Sequence, residues 1–387
     1  MVLGVSCLPI SPSIALAQAG AFVDAFVPAG GGGLEGPVGL LFGPDTALYV
    51  TSFGNGDVLR YDGVTGTFID TFAVGATQPN GLVFGPDGNL YVSSNSTDTV
   101  RRYNGQTGDF IDEFVSSRDA GLSNPSGLVF GPDENLYVAS SNTGQVLRFN
   151  GTTGAYIDDF VVARSGGLGS AYGLTFGPDG NLYVSSMGPD EILRYDGETG
   201  AFIDEFVPRA ISRLNDVRHI TFGPDNNLYA SSRITDEVMR YNGETGDFID
   251  VYVSAGDGGL FGPNGLVFGL DNKLYVASTS SHEVLRYEEP LPTGVTSTST
   301  DNLLQVEVFP NPLIETVHIR YELPFSSWVN IEVYDVTGRH IQTLVSTTQQ
   351  AGMHTFRFSA DLLSSGIYYY TLQAGNQHAT GMLLKVK

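Results

Sequence analysis

The stretch "GLVFGPDGNLYVSS" at Gly81 returns as "GLVFGPDENLYVAS" at Gly127 and as "GLTFGPDGNLYVSS" at Gly173. An internal period constrains a fold more than any local motif, because each copy must form the same small unit and bury its apolar face against a neighbour. Aligned on the first residue of "FGPD" or its variant "FGLD", the copies lie at Phe42, Phe84, Phe130, Phe176, Phe222 and Phe268, spaced by 42 and then four times by 46 residues. One full unit, Gly81 to Val115, holds four runs rich in β-branched and aromatic residues: 81–84, 90–94, 100–103 and 110–115. The connections "GPDGN" and "NGQTG" carry turn residues, with Pro fixing φ, Asp and Asn bonding the local backbone and Gly free to take positive φ. No 3.6-residue periodicity interrupts them, so each unit reads as a four-stranded antiparallel sheet. Four strands at this period are the mark of β-propeller blades.

The repeat starts and stops out of phase. The sixth unit ends after its third strand at Tyr287, and the missing fourth strand stands at the other end of the chain, where "GAFVDAFV" from Gly20 to Val27 copies "GAFIDEFV" from Gly200 to Val207. The N-terminal strand is therefore expected beside the third strand of the last unit, closing the circle. The fold class is all-β: a six-bladed β-propeller closed by an N-terminal strand, over residues 20–288. Its units resemble NHL repeats, in the pattern Gly-Leu-x-Phe, Gly-Asn-Leu-Tyr-Val, Val-Leu-Arg-Tyr, Phe-Ile-Asp-x-Phe. That resemblance implies a fold and not an activity.

Before the propeller, "MVLGVSCLPISPSIALAQAG" reads as a secretory signal peptide over residues 1–19, an apolar run ending in small residues. Cys7, the chain's only cysteine, is removed with it, which leaves no thiol for a disulfide, a nucleophile or a thiolate metal site. After the propeller, residues 289–302 are polar and Ser/Thr-rich and read as a linker. Residues 303–387 alternate in strand fashion and suggest a small Ig-like β-sandwich. Here "FPNP", "VYDVTGRHI", "SGIYYYTLQAG" and a Lys-bearing last strand follow in order. The set resembles the C-terminal sorting domain of type IX secretion in the Bacteroidota. The resemblance implies engagement with the type IX machinery, passage through the periplasm and a final place outside the cell or on the outer-membrane surface, with no transmembrane segment in the mature chain.

Several chemistries are excluded by context. "GGGLEG" at Gly31 precedes a strand rather than a helix, so it cannot aim backbone N–H groups at a dinucleotide. The repeated "DGN" lacks the further ligands of a calcium loop and is turn chemistry. Only His219 and His282 occur in the propeller and no Gly-x-Ser-x-Gly elbow is present, which argues against a histidine metal centre or a hydrolase nucleophile. Arg60, Arg102, Arg148, Arg194, Arg240 and Arg286 recur at one place in every unit and are read as structural. A net charge of −23 with no basic-aromatic strip excludes nucleic acid.

Function should lie where the copies differ. In alternating strands, the turns after the first and third strands share one face and are nearly identical, whereas the other loops share the opposite face and vary. There, the residue before each first-strand repeat motif runs Val38, Asn80, Ser126, Tyr172, Arg218, Asn264, a changing column between copied ones. Six of the eight Lys and Arg residues outside the repeated set also fall in these loops: Arg118, Arg164, Arg209, Arg213, Arg218 and Arg233. The fifth unit further places His219 where the others have Gly. These cations either pair with Asp119, Asp216 and Asp236 or form a basic rim through Arg209, Arg213 and Arg218 that steers an anionic glycan or a surface protein. The first reading is thus a monomeric binding propeller with no cofactor, its ligand contacts among Asn80, Ser126, Tyr172, Arg209, Arg213, Arg218, His219 and Asn264. The alternative rests on a resemblance to calcium-dependent lactonases of the gluconolactonase type, which implies a divalent cation held by Glu35, Asn80, Asn264 and Asp216, with Ser126, Tyr172 and Arg218 departing from that pattern. A streptogramin-lyase-like reading lacks the histidines and the blade count.

Overall fold

In the computed structural model the described residues are 19–116, 121–290 and, toward the C-terminus, 306–309, 316–323, 327–335, 340–359, 363–364, 366–374 and 377–385. The signal-peptide stretch through residue 18, the linker from residue 291, and Arg118 with Asp119 lie outside them. The chain divides into two compact units, Met1–Pro292 and Thr293–Lys387.

The first unit is all-β and propeller-like. Its first sheet is Pro37–Phe42, Leu48–Ser52, Asp57–Tyr61 and Phe68–Ala73, hydrogen-bonded in chain order and antiparallel throughout. Four more sheets of the same order follow, opening with Pro79–Phe84, Pro125–Phe130, Ser170–Phe176 and Val217–Phe222. The sixth is Pro263–Phe268, Leu274–Ser278 and Glu283–Tyr287, with Phe22–Val27 paired antiparallel to Glu283–Tyr287 as its fourth strand. The first strands of neighbouring sheets touch in sequence, and the sixth returns to touch the first.

Close approach of these first strands requires glycine. A Cβ on Gly39, Gly81, Gly127, Gly173 or Gly265 would come within 2.2–2.7 Å of a carbonyl oxygen on the next first strand, a distance no side chain tolerates. Farther out, aromatic rings couple the sheets. Tyr49, Tyr91, Tyr137, Tyr183, Tyr229 and Tyr275 are fully buried on the second strands. Each meets edge-on an aromatic ring of its own fourth strand, at 4.8–4.9 Å, and the FGPD-type phenylalanine of the next sheet, at 4.9–5.2 Å. The tyrosine hydroxyl donates to the Asp of its own turn at 2.9–3.2 Å. The repeated arginines complete the unit. Each guanidinium lies 4.9–5.2 Å over the fourth-strand ring and forks onto a fourth-strand aspartate, as Arg102 does onto Asp112 through Nε at 3.1 Å and Nη2 at 2.6 Å. Their recurrence is structural.

The closing strand uses the same parts. Phe26 packs on Tyr275, which also meets Phe42, and Arg286 forks onto Asp24 across 262 residues of chain. On the variable face a second set of clasps joins the sheets: Asp98, Asp190 and Asp236, at positive φ, accept the backbone N–H of Asn124, Asp216 and Gly262, and His282 accepts that of Gly36 through Nδ1 at 2.8 Å.

The C-terminal unit holds two antiparallel sheets. Thr316–Leu323 pairs with Val306–Phe309 and Gly352–Ser359, and Ser327–Asp335 pairs with His340–Gln349 and with Gly366–Ala374, which in turn pairs with Gln377–Lys385. Alternate residues Val317, Ile319, Tyr321 and Leu323 are buried, and they share clusters with Val329, Ile331, Val333 and Leu372 of the other sheet. The period of two places one face of each sheet in a common core.

Because Phe26, 4% exposed, fills the place that Phe114 fills in the second sheet, Phe26→Ala is expected to destabilise the folded state by about 3–5 kcal/mol, as Phe114→Ala should. Denaturant unfolding of the two variants checks this, and a Phe26→Ala midpoint equal to wild type would contradict it.

Candidate functional site

Between the first strands, on the variable face, lies a cavity of about 310 Å³. Its walls come in two tiers. The lower tier is the changing column of the first strands, of which Val38, Asn80, Tyr172, Arg218 and Asn264 line the cavity. The upper tier is contributed by residues at or just past the end of each second strand: Phe53, Asn95, Ser141 with Asn142, Met187, Arg233 and Thr279. Asn124 and Ser170 complete the lining. Sequence reasoning named Arg233 among the loop cations but missed the rest of the upper tier, although the signal was present. After the copied "LYVSS"-type strand the next residue runs Phe, Asn, Ser, Met, Arg, Thr, a column as variable as the first.

Tyr172 shapes the floor. Its hydroxyl oxygen accepts hydrogen bonds from Asn80 Nδ2 at 2.9 Å and Asn264 Nδ2 at 3.3 Å. Those asparagines belong to the second and sixth sheets, the two that flank the first, while Tyr172 stands on the fourth, so the phenol spans the ring and closes it below the cavity. Arg218 stacks over the Tyr172 ring with its guanidinium carbon 4.6 Å from the centroid. Its Nη2 donates to Asp216 Oδ2 at 2.7 Å, and Arg233 Nη1 donates to the same oxygen at 3.2 Å. Two guanidiniums share one carboxylate, and Asp190 lies behind it on the Asp216 N–H; the lining itself holds two guanidiniums and no acidic side chain, inside a chain of net charge −23.

Other expected site residues lie elsewhere. Ser126 is fully buried and bridges sheets. In four sheets a second-strand hydroxyl, on Thr51, Ser93, Ser185 or Ser231, donates to a carbonyl of the next first strand at 2.6–2.9 Å. The third sheet has Ala139 at that place, and Ser126 takes over the task by donating to the Tyr172 carbonyl at 2.8 Å; the sixth has Ala277, and Thr279 donates to the Pro37 carbonyl at 2.7 Å. The basic rim does not assemble as a cluster either. Arg213 lies over the Phe248 ring at 4.2 Å, on an outer strand, and Arg209 is exposed on the short turn Arg209–Ser212, close enough to act on Glu191; neither lines the cavity. Asp236 serves its backbone clasp, and Asp216 pairs with arginine.

His219, in the glycine place of the fifth sheet, is half-buried, with Nδ1 enclosed and without a partner. Loss of hydration pushes its imidazole down to about 4, so at neutral pH it adds no charge to the site. The four residues of the calcium reading do not come together as a cation site. Asn80 and Asn264 line the cavity, but Asp216 is held between two guanidiniums and the Glu35 side chain lies over Gly54, outside the lining. A hard cation needs six to eight oxygens, and here Arg218 faces the space they would surround. Among the described residues no group of three or more His, Cys, Asp or Glu side chains is placed to hold a metal.

Residues 307–385 match the secretion system C-terminal sorting domain, and this part of the chain is a type IX sorting domain. It supports export to the cell surface or the extracellular space through the type IX system. No curated protein matches the chain. Among solved structures, a gluconolactonase from Xanthomonas campestris is 16% identical over 69% of this chain and 89% of its own, with a TM-score of 0.54. A candidate gluconolactonase is 18% identical over 72% and 93%, with a TM-score of 0.55, and virginiamycin B lyase from Staphylococcus aureus is 15% identical over 73% and 91%, with a TM-score of 0.48. At these identities the two gluconolactonase likenesses speak to the fold alone, which is that of a propeller-like ring of sheets. In the described residues no helix is long and apolar enough to cross a membrane.

The displaced histidine makes stability depend on pH. Its folded-state value lies below the ordinary 6.5, so as pH falls from 6.5 toward 4 the unfolded chain takes up a proton that the folded one refuses, and stability falls. The loss expected from this group is about 3 kcal/mol. His219→Gly should remove it, giving a shallower decline of melting temperature between pH 7 and pH 4.5 than wild type shows; parallel curves would contradict the assignment.

Proposed function

We propose that the protein is a secreted or cell-surface binding protein whose residues 20–288 form a six-bladed, NHL-like propeller, with residues 1–19 as its signal peptide, residues 289–302 as a linker and an Ig-like sorting domain at the C-terminus. The two-tiered cup on its variable face takes a polar, anionic ligand, and an acidic glycan is the ligand class its lining fits best. The observation that carries this reading is the convergence of both variable columns on one cavity rich in asparagine and lined by two arginines with no acidic side chain. Amide and hydroxyl groups match the alternating donors and acceptors of a polyol, and guanidinium matches carboxylate in geometry and charge. The overall negative charge would repel an anion everywhere else, so the cup is where it is steered. Recognition of this kind needs no catalytic set, and no step of chemistry is assigned.

An array of anionic glycans tests the reading. Wild type is expected to be retained on a subset; Arg218→Ser with Arg233→Ser should lose retention, and Arg209→Ser with Arg213→Ser should keep it. Absence of retention on every anionic glycan would refute the proposal.

A further inference from the structure

We infer that the cup binds end-on, admitting a single terminal uronate residue of a glycan rather than a segment from within the chain. This rests on the reading above and adds what the floor imposes. Because Tyr172 bridges to Asn80 and Asn264 across the ring, the cavity is blind, and a strand of sugars cannot thread through it. Its volume of about 310 Å³ lies at the lower end for ligand pockets, room for one pyranose with its substituents. Charge points the same way: the lining presents the guanidiniums of Arg218 and Arg233, joined through Asp216, and no acidic side chain, a single cationic spot for a single carboxylate. Phe53 on the first sheet supplies an apolar surface for the C–H face of a sugar ring, with Met187 on the fourth sheet across from it.

End-on binding has a length signature. Calorimetry with oligogalacturonates, oligoglucuronates and oligomannuronates, each from disaccharide to octasaccharide, should give at least one series that binds one chain per protein with a Kd that stays within about twofold as the chain lengthens. The matching neutral oligosaccharides, and the uronates with Arg233→Gln, should bind at least about tenfold more weakly, a loss of about 1.4 kcal/mol. Arg233 is only partly buried, so this variant is expected to fold, and an unchanged melting temperature verifies it. Affinity that climbs steadily with length, or neutral chains that bind as well as acidic ones, would overturn the inference. If acidic glycans are retained on the array but none of the three uronate series binds, the inference falls and the broader reading stands; if nothing acidic is retained, both fall.

Discussion

Everything in the first unit depends on a buried tyrosine ring standing edge-on between two sheets. Its two aromatic contacts, at about 0.5–1.5 kcal/mol each beyond the area they bury, recur at all six junctions and tie each sheet to the next. The hydroxyl cannot be buried for nothing, so it donates to the turn aspartate; the aspartate helps hold the arginine; and the arginine covers the outer ring and locks onto the fourth strand. The exposed ion pairs add little individually. Their value is geometric, since they fix the fourth strand against the third in each sheet and so set the surface that the tyrosine packs on. At the sixth junction the same set is completed by Asp24 and Phe26, and the two ends of the first unit's strand series become one sheet.

That economy leaves the inner, variable end free to differ. With the junctions held by tyrosines, inner glycines and hydroxyl bridges, neither the first-strand column nor the residues past the second strands are needed for packing, apart from Ser126 with Ser141 and Thr279, which supply hydroxyl bridges where the second strands have Ala139 and Ala277. The polar and cationic residues of the cup are therefore tolerated by a scaffold that does not need them. Tyr172 is the exception that joins the two roles. It closes the floor, satisfies two buried amides and supplies the face on which Arg218 stacks.

Much of this was legible in the sequence because repetition separates what packing demands from what it ignores. The strand order, the transposed fourth strand, the structural arginines and the lower column could be read by aligning the copies. What escaped notice did so for physical reasons. Ser126 looked like a member of the variable column, and only the pairing of first and second strands reveals that it compensates for Ala139. The direction of a loop arginine is set by which ring it finds, and Arg213 finds Phe248 on an outer strand rather than the cup. Arg218 on a first strand and Arg233 just past a second, fifteen residues apart, meet through Asp216, a convergence that needs the register Val217 to Ser232. In the C-terminal unit the alternation of buried residues was readable directly, since a two-sheet core imposes a period of two.

The central claim is that the strand Phe22–Val27 is as integral to the ring as any fourth strand encoded within a repeat. Native-state hydrogen exchange measures this directly, since amides in frayed segments exchange by local opening and amides in the cooperative core only by global unfolding. The account predicts that the hydrogen-bonded amides of Phe22–Val27 are protected to the same degree as those of Phe110–Val115 in the second sheet. Exchange of the N-terminal strand faster by orders of magnitude, with Phe110–Val115 still protected, would show that the ring stands without its closing strand and would contradict it.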